Sequence, residues 1–251
     1  MTKKRILYVS QEITPYLPEN NLSKISRLLP QAMNESGIEV RLFMPKFGCI
    51  NERRHQLHEV IRLSGMNLIV NDIDQPLIIK VASIPQARMQ VYFIDNEEYF
   101  KRKFTTEDKK GKFYADNDER ALFFCRGVIE SVKKLGWSPD VIHCSGWMAS
   151  FLPMYLKKFY HDDMLFEKTK VVFSFFDHSF EGKLSAKLSE KLIFDGYSEQ
   201  EVSGFDNANA KKLSEVAISH SDAIIKGSAD LDSEILEMIK SSKLPTLEYS
   251  E

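Results

Sequence analysis

The sequence has few cysteines and no excess of charge of either sign. Its three cysteines, Cys49, Cys125 and Cys144, match neither the spacing of a metal site nor that of a disulfide framework, which indicates a reducing compartment. The 34 Lys and Arg residues are nearly balanced by 36 Asp and Glu residues. With a formal net charge of -2, the chain has no global basic field that would hold nucleic acid.

Long apolar runs are missing as well. The basic residues at positions 3–5 are followed by four apolar residues and then Ser10, whereas a secretion signal needs an apolar core of roughly 7–15 residues. A membrane helix would need roughly 18 apolar residues in a row. We therefore expect a cytoplasmic protein without a membrane partner. The 251 residues, 43% of them hydrophobic, suffice for a sizeable folded core.

Strand-like and helix-like segments alternate along most of the chain. This alternation predicts a doubly wound α/β fold with a Rossmann-like, mostly parallel sheet. Between residues 56 and 94 three strand-like segments follow one another at 57–63, 77–82 and 89–94, which predicts a β-rich insertion at an edge of the sheet. Residues 176–206 mix helical spacing with polar loop, and we expect them to form a mobile flap.

Ligands of open α/β sheets bind beyond the carboxyl ends of the strands, so the loops there are the candidate sites. The loop after the first strand, residues 11–21, contains no glycine and carries Glu19, which makes it a poor phosphate cradle. His143, at the end of a later strand, could act as a general acid or base, or could be a buried, hydrogen-bonded side chain. Trp147 could stack on a sugar ring or pack against the sheet.

The loop after the strand at 171–175 offers Asp177, His178 and Glu181. Two acids and a histidine could bind a metal or form an acid–base pair, and they could equally be a polar turn. A hydrolase triad of Ser145, His143 and Asp177 lacks the strained G-x-S-x-G turn that exposes a serine nucleophile. The residues alone therefore name no reaction, and we expect neither a metal nor a cofactor.

The segment 101–112 is rich in lysine, with phenylalanines interleaved. It could be a phosphate or nucleic-acid patch, or a solvated loop. The acidic neighbours and the neutral chain favour the solvated loop, so no nucleic-acid partner is expected.

Several stretches, in order, resemble the N-terminal domain of bacterial glycogen synthases and plant starch synthases, most of all that of short single-domain relatives. They include VSQEITP at 9–15, VRLFMP at 40–45, DVIHCSGWMA at 140–149, VFSFFD at 172–177 and SDAII at 221–225. The family consists of retaining GT-B glycosyltransferases that extend α-1,4-glucan from ADP-glucose. Its N-terminal domain chiefly carries the acceptor glucan, and its second domain makes most contacts to the nucleotide sugar. The resemblance implies one such GT-B half over residues 1–251, without the C-terminal nucleotide-sugar domain.

The signature residues of that family are altered in this sequence. The KTGGL motif stands as PENNL at 18–22, and HxHDWHA stands as HCSGWMA at 143–149. Gly146 and Met148 thus replace an aspartate and a histidine, and Phe176 replaces the histidine of an HN pair. Methionine cannot donate a hydrogen bond, and losing one donor to a developing charge costs about 10²–10³-fold in rate.

We therefore expect a degenerate domain of α-glucan metabolism that binds glucan or regulates a full-length synthase. The alternative is an active ADP-glucose-dependent glucosyltransferase completed by a partner subunit or a homo-oligomer. The catalytic candidates are His143 and Asp177. The predicted ligand cleft consists of Glu12, Tyr16, Asn20, Asn21, His143, Trp147, Asp177 and Glu181.

The strand ends also predict an apolar edge. We expect this edge to be formed by Glu12, Tyr16, Pro45, Phe47, His143, Trp147 and Phe176. Large exposed apolar patches usually mark binding surfaces. We therefore expect this edge to be covered by a homo-oligomer contact or by the 176–206 flap.

Overall fold

A computed structural model describes residues 3–177 and 179–250 of the chain. These residues form a ten-stranded sheet in the order β10-β9-β8-β7-β1-β2-β6-β5-β3, with β4 paired to β5. The strands are β1 (Arg5–Ser10), β2 (Glu39–Pro45), β3 (His58–Glu59), β4 (Met66–Val70), β5 (Ile73–Ile84), β6 (Met89–Asp95), β7 (Val141–Ser145), β8 (Lys170–Phe175), β9 (Ala223–Lys226) and β10 (Thr246–Leu247). The helices are α1 (Asn21–Glu35), α2 (Glu52–His55), α3 (Glu97–Phe100), α4 (Asn117–Leu135), α5 (Phe151–Phe159), α6 (Leu188–Phe194), α7 (Ala210–Ser219) and α8 (Ser233–Ser242).

The predicted fold class is confirmed. Strand β1 pairs in parallel with β2 and β7, so that Tyr8 lies opposite Leu42 on one side and His143 on the other. Strands β7, β8, β9 and β10 continue the sheet, again in parallel. Parallel neighbours need crossover connections, and the helices between successive strands supply them.

The β-rich insertion is present, but its strands differ from the prediction. Strand β5 is antiparallel to both β4 and β6, whereas β6 is parallel to β2 and so belongs to the main sheet. The strand expected at 57–63 is only two residues long, because the chain turns there and the Leu63 N–H donates to the Val60 carbonyl at 2.8 Å. Leu57 and Leu63, the apolar residues at the two ends of that stretch, are buried and hold the turn against the core. Strand β4 was not expected.

The helices are distributed unequally over the two faces of the sheet. The step from β1 to β2 runs in one direction along the sheet, and the steps from β6 through β7 to β10 run in the other. Because crossovers are right-handed, α1 lies on one face, and α4, α5, α7 and α8 lie on the other. We call the face under α1, which carries Tyr8, Val141, His143, Val172 and Ile225, the open face, and the opposite face the closed face.

The segment expected to be a mobile flap is packed against α4. Leu188 and Leu192 of α6 are fully buried. The Lys191 Nζ atom lies 2.7 Å from a carboxylate oxygen of Asp118 and 2.7 Å from one of Glu119. Further along, Asp195 accepts a hydrogen bond from Arg126 at 2.7 Å. The prediction of a mobile flap was therefore wrong for residues 188–195, since buried apolar and ionic contacts hold them on the closed face.

Within the described residues, no helix is both long enough and apolar enough to span a membrane.

Candidate functional site

The loops that follow β1 and β2 meet the chain segment after α3 at the carboxyl edge of the sheet. They enclose a recess of about 480 Å³, which we call the edge pocket. Three of the predicted cleft residues, Glu12, Tyr16 and Asn20, line it together. The remaining lining residues are Leu17, Pro18, Cys49, Lys103, Phe104 and Thr105.

The start of α1 lies beside this pocket and is capped by Asn20. The Asn20 side-chain oxygen accepts from the Ser23 backbone N–H at 2.8 Å, and the Ser23 hydroxyl accepts from the Asn20 N–H at 2.9 Å. This reciprocal capping box satisfies two backbone groups of the helix end. The Asn20 amide nitrogen donates in turn to a carboxylate oxygen of Glu12 at 2.7 Å, so Glu12 is held against the cap.

A second carboxylate, that of Asp177, lies at the first residue of α1. One Asp177 oxygen accepts from the Asn21 side chain at 3.1 Å, and the other accepts from the Ser228 hydroxyl at 3.0 Å. A helix N-terminus attracts anions through its free N–H groups and its dipole. Here two carboxylates of the chain itself, Glu12 and Asp177, lie next to that position. An incoming phosphate would meet their negative charge.

His143 lies on the open face of the sheet and does not line the edge pocket. Its Nε2 atom is 2.6 Å from the Ser174 hydroxyl, and its ring lies 5.2 Å from that of Tyr8. Burial lowers the pKa of His143 to about 4, so the imidazole is neutral at pH 7. Asp177 is bonded to Asn21 and Ser228 instead of to this ring, so the arrangement is not a hydrolase triad.

Trp147 packs in a cluster of three aromatic rings drawn from three loops. Its ring centroid lies 5.8 Å from that of Phe113 and 4.7 Å from that of Phe180, and these two phenylalanines stack at 4.9 Å. Trp147 therefore packs against side chains of the protein, which is the second of the two roles considered for it. The cluster also joins the lysine-rich segment to the loop after β8.

The apolar edge at the strand ends is covered, as expected. Tyr16, Pro45, His143 and Phe176 are buried, and Phe47 is completely so. The Phe100 ring lies 5.9 Å from that of Phe47, and the Arg120 guanidinium lies 5.7 Å from it. Two parts of the chain thus share in the covering: Phe100 and Arg120 cover Phe47, and Phe180 of the 176–206 segment packs on Trp147.

The two altered positions of the HCSGWMA stretch offer no polar side chain to a ligand. Gly146 has a φ of +83°, and a Cβ atom there would lie 2.6 Å from the Gln11 Cβ. Met148 is fully buried, and its backbone N–H donates to the Gln11 side-chain oxygen at 3.2 Å. Neither position presents a polar side chain to the edge pocket.

The remaining candidate residues do not form a site together. Glu181 is exposed, and His178 lies outside the described residues. Over 3–177 and 179–250 no group of three His, Cys, Asp or Glu side chains is arranged to hold a metal ion. Tyr16 is buried, and that burial raises the pKa of its phenol.

Sequence reasoning missed the pocket residues at 49 and 103–105. The lysine-rich segment is folded. Arg102 makes a bidentate ion pair with Asp116 at 2.6 and 2.5 Å, and the backbone of Glu107 forms an isolated antiparallel β-bridge with that of Phe113. Lys103, Phe104 and Thr105 form one wall of the pocket, while Lys109, Lys110 and Lys112 are exposed beyond it. The phenylalanines among the lysines were the one available signal.

The edge pocket therefore combines aromatic and hydrogen-bonding groups. Its lining includes the aromatic ring of Phe104, the carboxylate acceptor Glu12, and the donors Lys103 and Thr105. Such a set fits a polyhydroxylated ligand better than a polyphosphate, given the carboxylates at the α1 start.

Comparison with known proteins gives consistent matches. The family model described as the starch synthase catalytic domain matches residues 5–246. The glycogen synthase of Chlorobium luteolum is 38% identical over 210 residues, which is 83% of this chain and 42% of that protein. That of Chlorobium limicola is 37% identical over 206 residues, which is 82% of this chain and 42% of that protein. The chain thus spans less than half the length of these relatives.

A solved structure agrees in fold. The catalytic domain of Starch Synthase IV from Arabidopsis thaliana, bound to ADP and acarbose, superposes with a TM-score of 0.74 at 16% identity. The match covers 98% of this chain and 51% of that chain.

Proposed function

The chain belongs to the starch synthase catalytic domain family and has a GT-B glycosyltransferase-like fold. From this premise we propose that it binds α-glucan at the edge pocket and does not transfer glucose on its own. The observation that carries the proposal is the pair of carboxylates, Glu12 and Asp177, held at the start of α1. A nucleotide-sugar donor brings two negatively charged phosphates. The negative charges of the two carboxylates oppose its binding.

The altered motif supports the loss of transfer. In the family's motif an aspartate and a histidine occupy the positions that are Gly146 and Met148 here, and a histidine occupies that of Phe176. The Met148 and Phe176 side chains are buried in apolar packing. Glucosyl transfer with a phosphate leaving group needs donors aimed at the developing charge, and each missing donor costs about 10²–10³-fold.

The chemistry of the edge pocket supports glucan as the ligand. Phe104 is 46% exposed and offers an apolar face on which a sugar ring can stack. Glu12, Asn20 and Lys103 surround it with acceptors and donors for hydroxyl groups. The ligand class follows from the glycogen synthases to which the chain is related.

The test is calorimetry and glucan-affinity electrophoresis with maltoheptaose and glycogen. We expect the parent protein to be retarded and Phe104→Ala to bind about five- to thirtyfold more weakly, because removing a stacked ring costs about 1–2 kcal/mol. The matched control is Phe194→Ala on α6, a phenylalanine that is 51% exposed but distant in sequence from the pocket. Absence of heat and of retardation for the parent protein would refute glucan binding.

A second candidate function is an active transferase whose donor-binding half comes from another subunit. It is favoured by one observation, that the starch synthase catalytic domain model matches residues 5–246. Incubation with labelled ADP-glucose and glycogen, alone and with a candidate partner, separates the two. Incorporation that requires both proteins supports this second candidate, and incorporation by the chain alone contradicts the proposed loss of transfer.

A further inference from the structure

The open face of the sheet is short of a covering layer. Helix α1 packs there against β1 and β2, and between α1 and the residues at 247–250 lies a groove of about 570 Å³. Val172 and Ile225 lie on its floor, and Leu247 and Tyr249 form its far wall. Parallel sheets normally bury both faces, whereas this apolar groove is left open by the residues that the structure describes.

The outward side of α1 carries an ordered pattern of side chains. Lys24, Ile25, Leu28, Ala32 and Glu35 are exposed and share one side of the helix, and we call them the α1 stripe. Ile25 is 37% exposed and Leu28 is 45% exposed. The stripe thus has a cation at its start, apolar residues at its centre and an anion at its end.

We propose that the α1 stripe is the interface of a homodimer in which the two α1 helices pack antiparallel. Lys24 and Glu35 are 11 positions apart, or about 16 Å along a helix. An antiparallel pair centred between Leu28 and Ala32 brings Lys24 of each copy to Glu35 of the other. The charge pattern is therefore complementary to itself under a two-fold axis, as an isologous interface requires.

The charges of the stripe are available for such a contact. Within the chain, Lys24 approaches Glu19 at only 4.0 Å, and the Glu35 carboxylate accepts one hydrogen bond, from the Gln31 amide. The small side chain of Ala32 allows close approach of the two helices. The groove next to the stripe leaves room for apolar side chains of the second copy.

The size of the face also fits a second copy of the chain. Strands β7, β8, β9 and β10 have 5, 6, 4 and 2 residues. At about 3.3 Å per residue and about 4.8 Å between strands, they and α1, about 10 Å wide and about 22 Å long, give a projected area of about 500 Å². The accessible area of a corrugated surface is larger than its projection. A stable interface buries about 800 Å² on each partner.

The test is sedimentation equilibrium over a range of concentrations. We expect a dimer whose dissociation constant rises more than about 100-fold in Leu28→Glu, because a charge is then buried at the centre of the interface. The control is Ile61→Glu on the insertion, where the parent side chain is 83% exposed, and it should leave the dimer unchanged. Far-UV circular dichroism should show that both variants are folded.

A charge exchange tests the antiparallel register. Lys24→Glu and Glu35→Lys should each weaken the dimer about five- to tenfold, and the double variant should return it to within about twofold of the parent. A protein that is monomeric at its highest soluble concentration overturns the proposal. A dimer that survives Leu28→Glu, or that the double exchange does not restore, overturns it as well.

Discussion

The two faces of the sheet are built from the same strands and yet differ in burial. On the closed face Ile142, Cys144 and Val171 are completely buried, whereas their neighbours on the open face, Val141 and Val172, are only half-buried. Composition does not explain the difference, since valine and isoleucine occur on both sides. The order of connections does, because every crossover from β6 to β10 steps in one direction and right-handedness sends its helix to the closed face.

The largest effect is expected from removing the ionic anchor of the closed-face layer. Lys191→Met leaves the fully buried Asp118 without its cation, which should lower the free energy of unfolding by about 3–5 kcal/mol. Urea denaturation measures it. The exposed Lys187→Met in the same segment should cost less than about 0.5 kcal/mol. Equal effects of the two would show that the segment is not anchored as described.

Two adjacent valines, Val171 and Val172, test the difference in burial between the two faces. Val171→Ala on the closed face removes two fully buried methyl groups and should cost about 2 kcal/mol in the free energy of unfolding. Val172→Ala on the open face should cost about half of that or less, because its side chain is only half-buried. The comparison should be made at protein concentrations low enough to exclude self-association. If the order of the two costs is reversed, the assignment of the faces fails.

The open face also contains a titrating group. The pKa of His143 is lowered by burial to about 4, against about 6.5 in the unfolded chain. Between these values the unfolded state binds more protons, so stability falls as the pH falls, by about 2 kcal/mol from pH 7 to pH 5. His143→Leu should lack this component. Unfolding of both proteins at pH 7 and pH 5 measures it, and identical pH dependence would contradict the burial of the ring.

The smallest effect is expected at the outer wall of the open face. Leu247 is 63% exposed, so Leu247→Ala should change the free energy of unfolding of the dilute protein by less than about 0.5 kcal/mol. A cost above about 1 kcal/mol under those conditions would mean that this wall is packed against something. Thermal or urea unfolding of the purified variant decides the point.

Much of the fold could be predicted because alternating strands and helices are a local signal. The end of β1 at Ser10 follows from an apolar run, as does the end of β7 to within one residue of the expected Cys144. The rule that ligands bind at such ends placed Glu12, Tyr16 and Asn20 in one cleft, and the three line one pocket. The prediction of a strand over 57–63 was wrong because Leu57 and Leu63, two buried residues of a turn, give the same apolar spacing as a strand.

What could not be predicted depends on partners distant in sequence. Lys191 is held by Asp118, which lies 73 positions earlier, and no periodicity near residue 191 indicates this. The same holds for the segment after α3, whose Lys103 and Phe104 reach the edge pocket only because Arg102 is tied to Asp116 and Gly48 fits against the backbone of Lys101. A Cβ atom at Gly48 would overlap the Lys101 carbonyl group.

The shortness of the outer strands has a consequence for behaviour in solution. At one end of the sheet β10 has two residues, and at the other end β3 has two, so each presents few free backbone groups to a neighbouring molecule. The five-residue β4 is longer, but the Ile69 carbonyl already accepts a hydrogen bond from Arg126 at 2.6 Å. Unpaired strand edges are templates for amyloid-like growth. This sheet offers little such template, which should favour a high concentration threshold for fibril formation.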